Sequence, residues 1–271
     1  MITLNHPYPI YMHTTLTSPR ISEAQKQHFQ KEGYFILESC VPEEHLKILQ
    51  DNCQAFIDAA DAEMIAKGVD RIGLSARGKR YFNAYCYEKS AILGEFIFSD
   101  LMADICRATI GGEANLFWDQ YVVKGPDKDS SFSWHQDSGY VHIKCPMYVT
   151  CWVTLDDVTL ENGTVYLLPY SKVGIRSVVN HIPDPRTGDM VGYFGEDPGL
   201  SVVVPAGSIA VFSSYVFHRS GPNLTDKLRR VYLPQYAATV ILDAEGKQKG
   251  QAVPFLRNGE IVPEQARSQA V

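Results

Sequence analysis

Leu116-Phe117-Trp118-Asp119-Gln120-Tyr121-Val122-Val123 is where the character of this chain changes. Before it, apolar side chains recur every three or four residues; from it onward they alternate, and clusters of Gly, Pro, Asn and Asp cut the chain into short pieces. Seven more segments of this kind follow, at 131–136, 148–155, 164–168, 200–204, 208–213, 216–218 and 229–241. Eight short strands in succession without a helical crossover predict an antiparallel sandwich or barrel of jelly-roll type. Residues 180–199, rich in Pro and Gly, form a long irregular insertion, which predicts a lid or binding loop.

Toward the N-terminus the chain reads as helical. Ser22 with Gln25 makes a capping box, 23–32 has helical spacing, and Gly33 stops the helix before a short strand at 34–37. A second helix is predicted from Pro42 to Gly68, with Leu46, Leu49, Cys53, Phe56, Ala60 and Met64 on one apolar stripe. Residues 90–110 read as a third, closed by Gly111 and Gly112. No repeat or linker divides the chain. The expected organisation is therefore one domain over 1–271: mainly helical support in 1–112, a jelly-roll core in 113–242 and a C-terminal extension in 243–271.

The 271 residues, 45% hydrophobic and 21% charged, can bury a large core, which excludes disorder as the overall state. A formal net charge of −6 leaves no broad basic field to gather phosphates, so nucleic acid is not an expected partner. No apolar run approaches the roughly 20 residues that cross a bilayer, so no membrane partner is expected. The start lacks the basic-then-apolar pattern of a secretory leader. Six cysteines without a C-x-x-C pair read as buried, reduced thiols, and together these features predict a cytoplasmic protein.

His135-Gln136-Asp137 ends a predicted strand, where period-2 geometry points the imidazole and the carboxylate to the same side. His218, at the end of another, completes a possible set of two histidines and one carboxylate, the facial triad of non-haem Fe(II) oxygenases. Taken alone, such a set also arises by chance on a protein surface. Arg229, eleven residues beyond His218, strengthens it: a guanidinium turned inward offers a bidentate fork to the distal carboxylate of a dicarboxylic co-substrate, and 2-oxoglutarate fits. Read alone, Arg229 or its neighbour Arg230 could equally form a surface ion pair, for instance with Asp226. Asp156-Asp157 and Glu161-Asn162-Gly163 read as turns rather than as acid-base pairs.

Trp134-His135-Gln136-Asp137 with Tyr140, Trp152 to Asp157, Glu161-Asn162-Gly163 to Pro169, and Pro205-Ala206-Gly207-Ser208 through His218 to Arg229 together resemble the phytanoyl-CoA dioxygenase family of Fe(II)- and 2-oxoglutarate-dependent oxygenases. The resemblance runs from Leu116 to Tyr236. It implies a double-stranded β-helix, a cupin-like jelly roll flanked by α-helices, with Fe(II), 2-oxoglutarate and O2 as the reacting set. It further implies that His135, Asp137 and His218 bind iron, that Arg229 and Ser220 hold the distal carboxylate, and that Gln120 and Trp152 line the co-substrate site. The chain departs from the family at Pro169-Tyr170-Ser171-Lys172, where Pro-Gly-Ser-His-Lys is usual.

Substrate contacts are expected from Tyr140, Gln136 and Phe132, with Trp134, His142 and Tyr148 as further aromatic candidates. Arg80 is a candidate from the basic cluster Arg77, Lys79 and Arg80, read as lying in a loop. The substrate is expected to be a small metabolite or natural-product intermediate. Hydroxylation is the expected outcome because Asp137 fills the position a halogenating relative leaves open. Demethylation, desaturation, cyclisation and acyl-CoA hydroxylation are alternatives on the same site. A non-catalytic jelly-roll binding protein and a zinc hydrolase are readings of other classes; the second leaves Arg229 unexplained.

Overall fold

In the computed structural model, which describes residues 21–141, 145–185 and 188–267, Ser22 caps helix α1 (Glu23–Glu32) with both hydrogen bonds of a capping box. Gly33 ends it at φ +83°, a left-handed conformation that favours glycine. Glycine is needed there for a second reason, since a Cβ would lie 2.5 Å from Val216 and 2.7 Å from Tyr170. Tyr170 is the family departure noted above. Its buried ring fills this space, and its hydroxyl donates to Ser213 Oγ at 2.7 Å.

Strand β1 (Tyr34–Leu37) leads into α2 (Glu43–Ala66), with Pro42 as its N-cap residue. The predicted helix over 90–110 is instead two, Leu93–Ile97 and α3 (Asp100–Thr109). The break falls at Ser99, whose side chain accepts from Met102 N: a serine that caps a new helix ends the old one, although the apolar spacing runs through both. The segment read as a basic loop is also ordered. Strand β2 (Arg80–Ala84) pairs antiparallel with β3 (Ala114–Lys124), so Arg80 lies opposite Lys124.

The remaining strands are β4 (Phe132–His135), β5 (Tyr148–Thr154), β6 (Val165–Leu168), β7 (Leu200–Ser201), β8 (Ile209–Ser213), β9 (Phe217–Ser220), β10 (Arg229–Ala237) and β11 (Val253–Arg257). The larger sheet runs β1-β8-β5-β10-β3-β2, and β11 adds to the edge of β3. The smaller runs β7-β6-β9-β4, and every pairing is antiparallel. This is the jelly-roll core. Only Leu200 and Ser201 of the predicted strand 200–204 are ladder residues; beyond them the chain bridges to Val158 through Val204.

Strand β5 shows how the layers form. Val149, Cys151 and Val153 pack with the helices in one core, together with Leu49, Phe56, Leu101 and Ile105. Trp152 faces the other way, packing with Phe212 and Leu233 of the larger sheet and with Val165 and Leu167 of the smaller. A strand covered on both faces has no polar side to show, which is why every residue of β5 is buried. The same alternation on β3 sends Tyr121 and Val123 to the helices and Gln120, Val122 and Lys124 into the cavity between the sheets. Five of the six cysteines are buried, and none forms a disulfide.

Candidate active site

His135, at the end of β4, lies directly opposite His218 of β9 in the ladder, with ring centroids 4.1 Å apart. Asp137 follows in a 3-10 turn (Asp137–Tyr140), its Oδ1 3.4 Å from His218 Nε2. Ligand atoms of the three all lie within 4.8 Å of one another, close enough to share one ion. Each imidazole is oriented by the backbone, with Nδ1 of His135 2.7 Å from Ser133 O and Nδ1 of His218 3.1 Å from Val216 O. A carbonyl only accepts, so each Nδ1 carries a proton and Nε2 is the nitrogen turned toward the shared site. The far oxygen of Asp137, Oδ2, accepts from Thr150 Oγ1 and from Gln235 Nε2 at 3.0 Å, which turns Oδ1 toward the histidines.

The protonation states agree with this geometry. Burial, reinforced by His218, pushes His135 down to about 3, so it is neutral. Burial alone would raise the Asp137 carboxyl, but His218 beside it outweighs this and holds it below its usual value, so it is ionised. Two imidazoles held by backbone carbonyls and one carboxylate suit a divalent iron, and their orientation is already fixed.

A cavity of about 600 Å³ opens from the triad between the two sheets. One end is lined by two buried basic side chains. Arg229, 2% exposed, faces Lys124, 1% exposed, across the β10–β3 ladder. Neither forms an ion pair among the described residues. Burial lowers Arg229 to about 10, and burial with the adjacent Arg229 charge sets Lys124 well below the ordinary lysine value. Lys124 Nζ donates to Ser220 Oγ at 2.8 Å and to the Gly221 carbonyl. The Arg229 guanidinium sits 5.7 Å from the Trp152 ring centroid, and its Nε is buried without a partner. Ser220, Gln120 and Trp152 all line the cavity, as the sequence leads one to expect. The alternative ion pair falls instead to Arg230, bound to Asp156 at 2.6 Å.

Among the expected substrate contacts, Phe132 and Tyr140 line the cavity, as does Tyr148. The Tyr140 ring stands perpendicular to His135 with centroids 5.3 Å apart. Gln136 and Arg80 require correction. The Gln136 side chain is fully buried and points away from the cavity, donating to Ser177 O and Tyr215 O and accepting from Val179 N. Alternation sends the residue between two inward-facing ligands outward. Arg80 lines no part of the cavity; its Nε donates to Leu74 O at 2.9 Å. Trp134 also lies outside, edge-to-face with Tyr193 and covered by the Arg219 guanidinium. His142 is outside the described residues.

Gln136 has a different use. Its backbone N–H donates to His181 Nε2 at 2.9 Å, and His181 Nδ1 lies 2.9 Å from Val179 O. That imidazole is wedged between Gly139 and Gly192, where a Cβ would come within 2.5 and 2.4 Å of the ring. Gly192 N in turn donates to Trp134 O at 2.9 Å. The insertion predicted as a lid or binding loop is thus bolted to the turn that presents His135 and Asp137, while its Gly188 and Asp189 reach the cavity. Lys124, Thr150, Gln235 and His181 are the site residues that sequence reasoning missed.

Similarity to known proteins agrees with this geometry. Residues 29–231 match the phytanoyl-CoA dioxygenase (PhyH) family. A probable phytanoyl-CoA dioxygenase of Caenorhabditis elegans is 22% identical over 236 residues, covering 80% of this chain and 75% of the relative. Ectoine dioxygenase of Bordetella parapertussis is 22% identical over 226 residues, covering 76% and 71%. The crystal structure of EvdO2 from Micromonospora carbonacea var. aurantiaca, complexed with 2-oxoglutarate, superposes with a TM-score of 0.62 at 20% identity over 88% of this chain and 96% of that one. The chain belongs to the phytanoyl-CoA dioxygenase family and is an iron- and 2-oxoglutarate-dependent dioxygenase.

Proposed function

We propose that this enzyme, acting as one unit over residues 1–271, hydroxylates a small organic molecule at a metal held by His135, Asp137 and His218. The carrying observation is the pairing of that triad with two buried basic side chains, Arg229 and Lys124, that form no ion pair among the described residues, in one cavity. Two cations buried side by side repel each other unless an anion lies between them. A dicarboxylate that chelates the metal at one end and meets both cations at the other satisfies the whole arrangement.

Each residue then has a task. Arg229 receives the distal carboxylate with its fork, its free Nε available as a donor, while Lys124 and Ser220 complete the anion site. Gln120 and Trp152 wall the co-substrate. Thr150 and Gln235 keep Asp137 turned toward the metal by bonding the oxygen it does not present. Bound together, iron, 2-oxoglutarate and O2 supply the oxidation: 2-oxoglutarate becomes succinate and CO2, and the second oxygen atom goes to a substrate C–H. Asp137 fills a ligand position that halide incorporation needs vacant, which favours hydroxylation.

The experiment is turnover under ¹⁸O2. One labelled oxygen should enter succinate and the other the product, and His135→Ala or His218→Ala should each abolish both iron binding and succinate release. Wild-type succinate formation in both variants refutes the metal assignment, and a chlorinated product in chloride buffer refutes hydroxylation.

A further inference from the structure

Beyond the metal, the cavity changes character. Its walls there are Phe82, Tyr85, Phe117, Trp118 and Tyr148, with Leu74 at the exposed edge. The rings are arranged against one another: Tyr85 and Trp118 have centroids 4.3 Å apart, and Phe117 and Tyr148 4.8 Å. Tyr85 holds its place at a cost, because its backbone is left-handed, at φ +56°, ψ +45°, in a residue that is not glycine. Such strain persists where the surrounding structure demands it. Here Tyr85 N is fixed by Asp119 O at 2.8 Å, and the ring is laid on Trp118.

Among the described residues the uncharged polar groups of this chamber are few. The Tyr85 hydroxyl, the Trp118 indole N–H and the Gln120 amide have no hydrogen-bond partner among the described residues, and all three residues line the cavity. The charged lining residues are otherwise engaged. Lys249 lies 3.6 Å from Asp243, and Arg219 stacks on Tyr166 at 4.0 Å. Asp189 exerts its field on Lys124, at the co-substrate end. Among the described residues the Lys249 ammonium is already paired with Asp243, so it is not left for the carboxylate of an amino acid. Of the basic cluster at 77–80, Arg77 is paired with Asp70 and Arg80 is tied to Leu74 O, which leaves Lys79 as its remaining exposed cation for a nucleotide diphosphate.

Resting on the oxygenase reading above, we propose that the primary substrate is an uncharged molecule built on flat aromatic or unsaturated rings, stacked on the Tyr85–Trp118 pair. Its oxygen substituents meet the Tyr85 hydroxyl. Rings stacked on aromatic side chains gain from offset packing as well as from buried area, and a chamber with few polar groups penalises a charged ligand.

The test is equilibrium binding, which needs no turnover. Full-length protein loaded with Mn(II) and 2-oxoglutarate is titrated calorimetrically with fluorenone, a neutral tricyclic ketone, and in parallel with L-proline and palmitoyl-CoA. Fluorenone should bind at least tenfold more tightly than either. Trp118→Leu and Tyr85→Leu should each weaken it about tenfold, Trp118→Phe should keep it within about threefold, and 2-oxoglutarate binding should be unchanged throughout. Tighter binding of proline or palmitoyl-CoA, or fluorenone binding indifferent to both leucine variants, overturns the proposal. Should 2-oxoglutarate fail to bind while fluorenone behaves as described, the oxygenase reading falls and the aromatic site stands.

Discussion

Replacing Lys124 with methionine should move affinity and stability in opposite directions. The ammonium is 1% exposed, hydrogen-bonded to Ser220 Oγ and the Gly221 carbonyl, and opposite the equally buried Arg229 with no ion-pair partner among the described residues. Deleting one member of a charge-assisted pair in a desolvated site costs about 2–5 kcal/mol. Arg229 remains to hold the anion, so the lower end applies, and about 2 kcal/mol corresponds to a roughly 30-fold rise in the 2-oxoglutarate Kd. In the free protein the same charge is a burden. Removing it should add about 1 kcal/mol, which in a chain of this size raises Tm by about 2–4 °C. The pH dependence has a definite sign. Burial lowers the folded-state pKa of Lys124 below its unfolded value, so above the lowered pKa the unfolded chain binds the extra proton. Wild-type stability therefore gains a component as pH rises through that window, while 2-oxoglutarate affinity falls there because the anion needs the charged amine. Lys124→Met should lack both slopes. Calorimetric titration of the Fe(II)-loaded protein without oxygen gives Kd, and thermal unfolding of the metal-free protein gives Tm. A Kd within threefold of wild type, or a lowered Tm, refutes the assignment of Lys124 to the anion.

Two other outcomes test the clamp behind the metal turn. Gly192→Ala places a Cβ 2.4 Å from His181 Nε2, and the displacement should cost about 1–3 kcal/mol of stability and weaken Co(II) binding, read from its absorption spectrum; an unchanged metal titration separates the clamp from the ligands. His181 accepts from Gln136 N, and burial lowers its pKa, so between that value and about 6.5 the unfolded chain binds more protons. Wild-type stability should fall as pH drops from 6.5 through that window, and His181→Asn should flatten the slope in chemical denaturation at pH 5 to 7.

What the sequence made legible is what local spacing determines. The capping box at Ser22, the apolar stripe of α2 and the alternating strands each depend on residues a few positions apart, and all appear in the structure. His135, Asp137, His218 and Arg229 were readable because their chemistry is unusual for strand ends and their spacing matches a family pattern. The helix break at Ser99 was also local, but the apolar period continued across it and outweighed one serine. Lys124 was hidden for a different reason. Once Gln120 was assigned to the cavity, alternation put Lys124 on the same face, yet a lysine at the end of a strand reads as a solvent-facing terminus. Its meaning lies in the β3–β10 register, which sets it opposite Arg229, and register is a long-range property.

Gln136 shows the converse, a residue whose neighbours made it look functional when alternation already turned it away. Flanked by two residues that face inward, its side chain faces out, and what it finds there is the segment leading into the insertion, at Ser177 and Val179, some forty residues further along the chain. The consequence concerns how the site is built. The metal turn is held from the cavity side by Thr150 and Gln235 through Asp137, and from the outside by His181, Ser177 and Tyr215 through Gln136. Tyr215 lies on the approach to His218, so the Gln136 side chain couples the two strand ends that carry the three ligands. One buried amide ties together the two strands and the turn from which the triad is drawn. The base of the insertion is fixed to this turn through His181, while its Gly188 and Asp189 reach the cavity.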